Sequence, residues 1–354
     1  MQTKRLDYLD FIKGVAIVLV VFCHRVLIPQ ESILGTISIM LVCSAVPCFM
    51  MCSGYVLLFK QENAARSFQR AAHVYVSMVI WRALYLMFFQ LFETIRFTPV
   101  NLIRYLFLFC SMKGVETEHL WFLQAYLPAL LLTPLLAPMF RERKCGMVAA
   151  FVSLAYLSNQ FVMSANLFLQ IASAHLGFQS FDVEMLSNIF PIGGEYSSML
   201  VCFMLGGVHR LLEEKNVTRK PWFLLLSAFC TVFGLVGMLC VRYLQTGTFA
   251  WRGTLLVAQY EWSSTLIMSF GVFGLLRHMG DSRPALWLGR HVGRNSMGIY
   301  YLHYPCLIPL VVYVYPLLKP ALWMNFVKTG LVTAVCVLLV KLGKRVPGVR
   351  HLMR

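Results

Sequence analysis

Charged residues, and acidic ones above all, are scarce in this chain of 354 residues. Only 13% of the residues are charged, with 15 Asp and Glu against 31 Lys and Arg, whereas 59% are hydrophobic. The mean hydropathy is +0.69. Because soluble globular domains carry about 25% charged residues, this composition excludes that class. It predicts a membrane protein that crosses the bilayer several times.

Signals for disulfides, metals and nucleic acid are also missing. The 11 cysteines form no Cys-x-x-Cys pair and no Cys/His spacing suited to zinc, so we expect neither a disulfide framework nor a metal site. The net charge of +16 comes from short basic clusters between apolar runs, which is typical of loops beside a membrane and disfavours nucleic-acid binding. No small-residue cleavage site follows the first apolar segment, which favours a retained helix over a removable signal.

Apolar runs long enough to cross about 30 Å of hydrocarbon predict an all-α protein with about ten transmembrane helices. The predicted spans are 10–29, 33–59, 71–92, 119–139, 146–164, 196–212, 222–242, 260–278, 293–318 and 321–342. Residues 100–110 are too short to cross and favour an interfacial or re-entrant helix. We expect one transmembrane domain over 1–345 and a short cytoplasmic tail over 346–354.

Basic residues gather in alternate connections, and this pattern predicts the orientation. With both termini in the cytoplasm, the outer segments hold only about a third as many Lys and Arg as the inner ones. The longest outer connection, 165–195, carries Asp182, Glu184 and Glu195 and no Lys or Arg. We expect it to act as a lid or a substrate-contacting loop.

Two ionisable residues inside the first apolar run are the leading candidates for a site. Lys13 and His24 are eleven residues apart. That step places both side chains within about 20° of one helix face and roughly 16 Å apart along the axis. Ionisable groups at membrane depth are costly and usually face a cavity or a partner. A neutral imidazole serves as a general base, and a lysine holds an anionic group. Alternatively, Lys13 pairs with Asp10 near the headgroups and His24 only caps the helix.

Three later segments carry polar residues that a lipid-facing helix does not need. They are residues 52–55, 118–124 and 295–305, which contain Ser53, Tyr55, His119, Trp121, Ser296, Tyr300 and His303. A Ser-Gly pair such as Ser53-Gly54 permits a kink or a close helix contact, and packing is its simpler explanation. A lone histidine on an apolar face is more often structural than catalytic, so each segment alone is weak evidence.

Several cations need a partner or a role. A basic patch follows the second span and consists of Lys60, Arg66, Arg70 and His73. It suits either positive-inside topology or a docking surface for a phosphate-rich donor. Arg82 and Lys328 are further charges at membrane depth without an assigned partner, and either is a candidate to line a cavity.

Together these motifs resemble the integral-membrane acyltransferases of type 3, which move acyl groups from acyl-coenzyme A to cell-envelope glycans. Lys13 and His24 resemble that family's arginine and histidine, which ten residues separate. Three further motifs agree in order and spacing, namely Phe49-Met-Met-Cys-Ser-Gly-Tyr55, His119-Leu-Trp-Phe-Leu123 and Ser296-Met-Gly-Ile-Tyr-Tyr-Leu-His303. The resemblance covers nearly the whole chain. It is strongest to short, single-domain members such as enterobacterial common antigen O-acetyltransferase and exopolysaccharide acyltransferases.

Two departures from the family pattern affect the donor side. Lys13 stands where the family has arginine, which keeps the charge and loses the bidentate fork, so we expect a weaker or different donor contact. The expected Arg-x-x-Arg appears as Arg70-x-x-His73, so the charge at its second position depends on pH. Neither departure removes the expected base, His24.

The resemblance implies a bacterial inner-membrane O-acyltransferase without a metal. Its donor is acyl-coenzyme A, in the first place acetyl-coenzyme A, bound from the cytoplasm, and its acceptor is a carbohydrate or glycolipid near the periplasmic face. It implies that His24 deprotonates the acceptor, that Lys13 holds the donor or stabilises negative charge, and that Asp10 orients Lys13. The implied donor-binding residues also include Arg66, Arg70 and His73. The implied substrate cavity contains Ser53, Tyr55 and Trp121, with His119, Ser296, Tyr300 and His303 in its outer part.

Two other classes stay open. A proton-coupled transporter or flippase also needs buried histidines and would place Lys13 and His24 on a proton or substrate path, although the sequence has no inverted repeat. The third class is a catalytically silent membrane scaffold. The sequence does not choose between acetyl and succinyl donors or among acceptor glycans, and it sets no oligomeric state.

Overall fold

The computed structural model describes residues 6–183, 197–250 and 258–353, and within these ranges the chain forms helices and no strands. The α-helices are α1 (Asp7–Cys23), α2 (Ile33–Val42), α3 (Ala45–Leu57), α4 (Ala64–Phe89), α5 (Pro99–Phe107), α6 (Trp121–Arg141), α7 (Cys145–Tyr156), α8 (Val162–Leu176), α9 (Ser197–Glu214), α10 (Pro221–Thr246), α11 (Ser263–Met279), α12 (Arg283–His291), α13 (Ser296–Tyr313), α14 (Leu322–Gly343) and α15 (Val349–Leu352). A π-helical turn joins α7 to α8, and a 3-10 turn, Glu118–Leu120, precedes α6.

The prediction of an all-α membrane protein is confirmed. Six helical stretches of the described ranges are long and apolar enough to cross a bilayer: Ile33–Leu57, Ala64–Phe89, Glu118–Arg141, Cys145–Leu176, Pro221–Thr246 and Leu322–Gly343. The remaining predicted spans also contain helices, α1, α9, α11 and α13, of 17 or 18 residues each. The total of ten crossings and the side of the termini stay predictions.

The predicted second span is broken near its middle, between α2 and α3. Pro47 lies in the first turn of α3. It lacks an N–H, and its ring disfavours a helical carbonyl four residues earlier, at Cys43, so a kink or break is favoured just before it. The break therefore precedes the Ser53-Gly54 pair. Gly54 instead allows close packing, because a Cβ there would overlap the main-chain carbonyl of Phe203 in α9.

Helix α1 lies at the centre of the molecule, whereas α10 lies at its edge. α1 packs against α3, α11, α12, α13 and α14, and 11 of its 17 residues are buried. α10 packs mainly on α11 and buries only 5 of its 26 residues, so most of its apolar surface is exposed, as expected for a helix beside lipid. The central position of α1 puts Lys13 and His24 inside the helical bundle.

Two connections differ from the loops that the sequence predicts. Helix α8 continues to Leu176, so the expected lid over 165–195 is helical in its first part, while Glu184 and Glu195 lie outside the described residues. The tail expected over 346–354 contains α15 and packs on the bundle. The Trp81 indole donates to the Leu352 carbonyl at 3.3 Å, and Met353 is buried.

Candidate active site

Two cavities lie beside α1, one next to Lys13 and the other next to His24. The first, the Lys13 cavity, has a volume of about 580 Å³, and the second, the His24 cavity, one of about 820 Å³. Among the residues expected at the site, the Lys13 cavity is lined by Lys13, Ser53, Arg66, Arg70, His73, Ser296 and Tyr300. The His24 cavity is lined by His24, His119, Trp121 and Tyr300. The structure thus brings most of these residues together, around two cavities instead of one.

The backbone places the His24 side chain just beyond the end of a helix. α1 ends at Cys23, His24 is extended with a ψ of 132°, and Arg25 has a φ of +50°. Positive φ is uncommon for a residue with a side chain, and such conformations are concentrated at functional sites. The chain therefore turns sharply at His24, which is half-buried and faces the cavity.

A buried lysine from α14 fixes this end of α1. The Lys328 ammonium donates to the carbonyls of Val21 and Phe22, each at 3.2 Å, and to the carbonyl of His24 at 2.9 Å. Asn325 also donates to the Phe22 carbonyl, at 3.1 Å. The last carbonyls of a helix lack partners within it, and a cation is favoured there. Lys328, which the sequence left without a partner, thus positions the main chain of His24.

Three imidazoles meet at the wall of the His24 cavity. The ring centres of His24 and His303 are 5.1 Å apart, those of His119 and His303 5.2 Å, and those of His24 and His119 6.1 Å. His303 is fully buried behind the lining, and Tyr304 stacks on His119 with ring centres 4.6 Å apart. His24 is the histidine of this group most open to a ligand.

Hydrogen bonds assign the tautomers of the two buried rings. His303 Nδ1 lies 2.6 Å from the Tyr300 carbonyl, which can only accept, so Nδ1 carries the hydrogen and Nε2 the lone pair. The Tyr85 hydroxyl donates to the Tyr301 carbonyl at 2.8 Å, so its oxygen accepts from His119 Nε2 at 2.9 Å. In the neutral ring His119 Nδ1 then bears the lone pair. Neither lone pair has a hydrogen-bond donor among the described residues.

Acidic and aromatic groups complete the His24 cavity. The Tyr304 hydroxyl donates to the Glu116 carboxylate at 2.7 Å, and Arg25 forms an ion pair with the same carboxylate. Arg25 also lies over the Tyr304 ring, 5.7 Å from its centre. Glu118 and Trp121 line the cavity nearby. The cavity therefore offers acceptors for hydroxyl groups together with aromatic faces.

The cations of the Lys13 cavity come from one face of α4. Asn63 caps this helix by accepting from the N–H of Arg66. Arg70 and His73 follow Arg66 at intervals of four and three residues, so all three side chains project to one side, into the Lys13 cavity. Farther in, the cavity is lined by apolar side chains such as Val74.

The carboxylate of Glu62 neutralises part of this positive charge. It forms ion pairs with Lys60, at 2.6 Å, and with Arg70. Partial burial raises the pKa of the Glu62 carboxyl, but the hydrogen bonds from Lys60 and Arg70 outweigh burial, and the pKa lies below its usual value. Arg70 is therefore already paired with an anion.

A third cavity adjoins the mouth of the Lys13 cavity and was not expected from the sequence. Its volume is about 760 Å³, and Arg66 lines both cavities. Arg141, in the last turn of α6, lines it as well. The Arg141 Nε atom is buried without a hydrogen-bond partner among the described residues. In the sequence Arg141 looks like an ordinary basic residue of a loop, because nothing local places it near α4.

Two predicted placements need correction, and a third stays a prediction. Asp10, expected to orient Lys13, is buried and accepts a hydrogen bond from Arg294 at 3.3 Å, and its role towards Lys13 stays a prediction. Tyr55 lies outside the lining of both cavities, and its hydroxyl donates to Glu213 at 3.3 Å. Ser296, expected in the outer cavity with His303, lines the Lys13 cavity, because it opens α13 about two turns before His303.

Arg82, the other cation for which no partner could be assigned from the sequence, joins α5 to α4 through hydrogen bonds. Its guanidinium donates to the carbonyls of Tyr105, at 2.7 Å, and Cys110. It lies over the Tyr105 ring, 4.1 Å from the centre, and the Tyr105 hydroxyl donates back to the Arg82 carbonyl at 3.0 Å. Arg82 also lines the His24 cavity, as expected for one of the two charges.

A comparison with protein-family models decides the class. Residues 6–341 match the model of the type 3 acyltransferases, described as an acyltransferase domain. The chain belongs to this acyltransferase family. No curated protein and no solved structure matches it. The family and the apolar helices make the protein a membrane acyltransferase and lend no support to the transporter interpretation.

Proposed function

We propose that this acyltransferase moves a short acyl group, in the first place acetyl, from acyl-coenzyme A to a hydroxyl of a cell-envelope polysaccharide or glycolipid. The observation that supports it best is the pair of cavities beside α1, one lined by cations and the other by histidines. A phosphate-bearing donor needs the first, and deprotonation of a hydroxyl needs the second.

The Lys13 cavity and its neighbour suit the donor. Arg66, Arg70 and His73 offer charged donors for phosphates, and the buried, unpartnered Nε of Arg141 is a further group that an anion would satisfy. The apolar inner part fits the uncharged pantetheine arm and the acyl group. Lys13 would hold a polar group of the donor on the side of the cavity away from His24, so that the thioester reaches towards His24.

The His24 cavity suits a sugar acceptor. Glu116 and Glu118 accept hydrogen bonds from hydroxyl groups, and Trp121 and Tyr304 offer aromatic faces to the apolar side of a sugar ring. These contacts would bring one hydroxyl to His24.

The reaction needs one base and no group beyond donor and acceptor. His24 takes the proton of the acceptor hydroxyl, and the oxygen attacks the thioester carbonyl carbon. The carbon–sulfur bond breaks, the ester forms, and the coenzyme A thiolate leaves and takes up the proton that His24 releases. His303 and His119, whose tautomers the main chain and Tyr85 fix, would keep the surroundings of His24 in one arrangement.

We place the protein in the bacterial inner membrane with the Lys13 cavity towards the cytoplasm, where acyl-coenzyme A is made. The positive-inside rule supports this orientation, because four cations lie around the mouth of the Lys13 cavity, namely Lys60, Arg66, Arg70 and Arg141. The His24 cavity then opens towards the periplasm.

Transfer of label tests the proposal. Membrane vesicles with wild-type protein, His24→Ala or His175→Ala receive labelled acetyl-coenzyme A and envelope glycolipids, and label is followed into the glycan fraction. His175 is an exposed residue of α8 and serves as the matched control. We expect transfer with wild type and His175→Ala and a loss of about 10²–10⁴-fold with His24→Ala. Histidine-independent transfer, or none with any short acyl donor, would contradict the proposal.

A further inference from the structure

Two aromatic residues line both the Lys13 cavity and the His24 cavity. They are Phe122, at the start of α6, and Tyr300, in α13. Their rings meet edge to face with centres 5.7 Å apart, and both side chains are buried. The donor and acceptor cavities are therefore separated by this pair of rings, and an acyl group that passes from one cavity to the other must pass it.

The two rings are held very differently. The Tyr300 hydroxyl donates to the His119 carbonyl, and the Tyr300 carbonyl accepts from His303, so both ends of this residue are fixed. Phe122 has no polar atom on its side chain and contacts the rings of Phe49 and Tyr126 at 5.8 and 6.0 Å. Rotation of Phe122 breaks no hydrogen bond of its side chain, whereas movement of the Tyr300 ring breaks one. Phe122 is thus the part of the barrier that can yield.

Ordinary core packing does not require this arrangement. A core phenylalanine has protein on every side, but Phe122 has a cavity of about 580 Å³ on one side and one of about 820 Å³ on the other. Its ring fills the space that a longer acyl chain, or water from the His24 cavity, would otherwise enter.

We propose that Phe122 is a specificity-determining residue of this acyltransferase, a barrier that limits the acyl group to short chains and keeps water from the thioester until an acceptor is bound. This inference rests on the proposed function. It extends that function by naming the residue that limits the length of the acyl chain. Without the barrier, water replaces the acceptor hydroxyl. Its oxygen attacks the thioester carbonyl carbon, the carbon–sulfur bond breaks, and the products are the free acid and coenzyme A with its thiol protonated.

The experiment compares Phe122→Ala and the milder Phe122→Leu with wild type in the same vesicles. Two quantities are measured: the ratio of hexanoyl to acetyl transfer in kcat/KM, and hydrolysis of acetyl-coenzyme A without acceptor. The control is Phe140→Ala, which removes the same atoms from a buried position of the same helix outside the linings of the three cavities. Hydrolysis is read without an acceptor, so this second quantity does not depend on the identity of the glycan.

We expect Phe122→Ala to raise the hexanoyl-to-acetyl ratio about 10-fold or more and to raise hydrolysis, with Phe122→Leu between it and wild type. Phe140→Ala should keep the wild-type ratio and hydrolysis. A folded Phe122→Ala or Phe122→Leu that keeps both wild-type values, or a Phe140→Ala that reproduces the change, would overturn the inference. Acetyl transfer by the wild type is measured in the same experiment. If the wild type transfers acetyl and the Phe122 variants behave like it, only this inference fails. If the wild type shows no turnover, the proposed function fails and this inference fails with it.

Discussion

The Lys13 cavity and the His24 cavity hold their polar groups in opposite ways. Around His24 the groups are tied to the main chain: Lys328 binds the end of α1, His303 binds the Tyr300 carbonyl, and Tyr300 binds the His119 carbonyl. Around Lys13 the cations are long side chains on one face of α4, and Arg70 is paired with Glu62. The His24 cavity is thus the rigid end of the site, and it suits bond making, which requires exact positions. The Lys13 cavity is the adaptable end, and it suits binding of a large anionic donor.

The sharpest test of the rigid end is Lys328→Met. It leaves the carbonyls of Val21, Phe22 and His24 without the ammonium, so the end of α1 and the imidazole shift. We expect kcat to fall about 10²-fold while the KM for the donor stays near the wild-type value. Steady-state transfer assays give both constants.

Two further variants separate positioning from general stability. Lys328→Arg keeps a donor at this place and should restore part of kcat, and Lys319→Met removes an exposed lysine just before α14 and should leave both constants unchanged. If the KM for the donor rises as much as kcat falls in Lys328→Met, then Lys328 also supports donor binding, which would contradict the contrast between the two cavities.

At the adaptable end, Lys13→Ala should raise the KM for acyl-coenzyme A about 10-fold with a smaller change in kcat, because a charged hydrogen bond is lost from binding. Lys13→Arg restores the fork that the family has at this position and should lower KM below that of wild type. The measurement is KM against labelled donor, with exposed Lys341→Ala as the control. An equal loss of kcat and kcat/KM in Lys13→Ala would instead place Lys13 in the transition state only.

The smallest effect is expected for Glu62→Gln, which frees Arg70 from its ion pair. The KM for the donor should fall about 2-fold to 3-fold at low salt, since partly exposed pairs contribute little. The Glu62 carboxyl has a lowered pKa and is charged at neutral pH, so wild type and variant differ most there and converge as pH falls through that pKa. Exposed Glu31→Gln is the control, and a rise in KM for Glu62→Gln would show that Glu62 supports the donor site.

Much of the architecture could be predicted from local sequence patterns. Apolar runs predict the helices, and the eleven-residue step between Lys13 and His24 predicts that they share one face of α1, beside which both cavities lie. Packing was the simpler explanation for Ser53-Gly54, and Gly54 does pack closely on α9, whereas the break between α2 and α3, just before Pro47, was not expected.

Some side chains of the site could not be placed from the sequence, because their positions depend on contacts between segments far apart in the chain. Lys328 meets His24 across 304 residues, and Tyr85 meets His119 across 34. Arg141 reaches the neighbourhood of Arg66 only because α6 packs on α4. Periodicity within one helix carries no information on such neighbours, so Lys328 was visible only as a costly charge at membrane depth.

Single-turnover transfer at increasing concentrations of labelled acetyl-coenzyme A, measured on wild-type and His24→Ala vesicles with saturating glycolipid, tests the central claim most directly. It gives the dissociation constant of the donor and the rate of the chemical step separately. The proposed division of labour predicts an unchanged dissociation constant and a rate lower by about 10²–10⁴-fold. A wild-type rate in the folded variant, or a lost donor affinity with an unchanged rate at saturation, would contradict the assignment of His24 as the base.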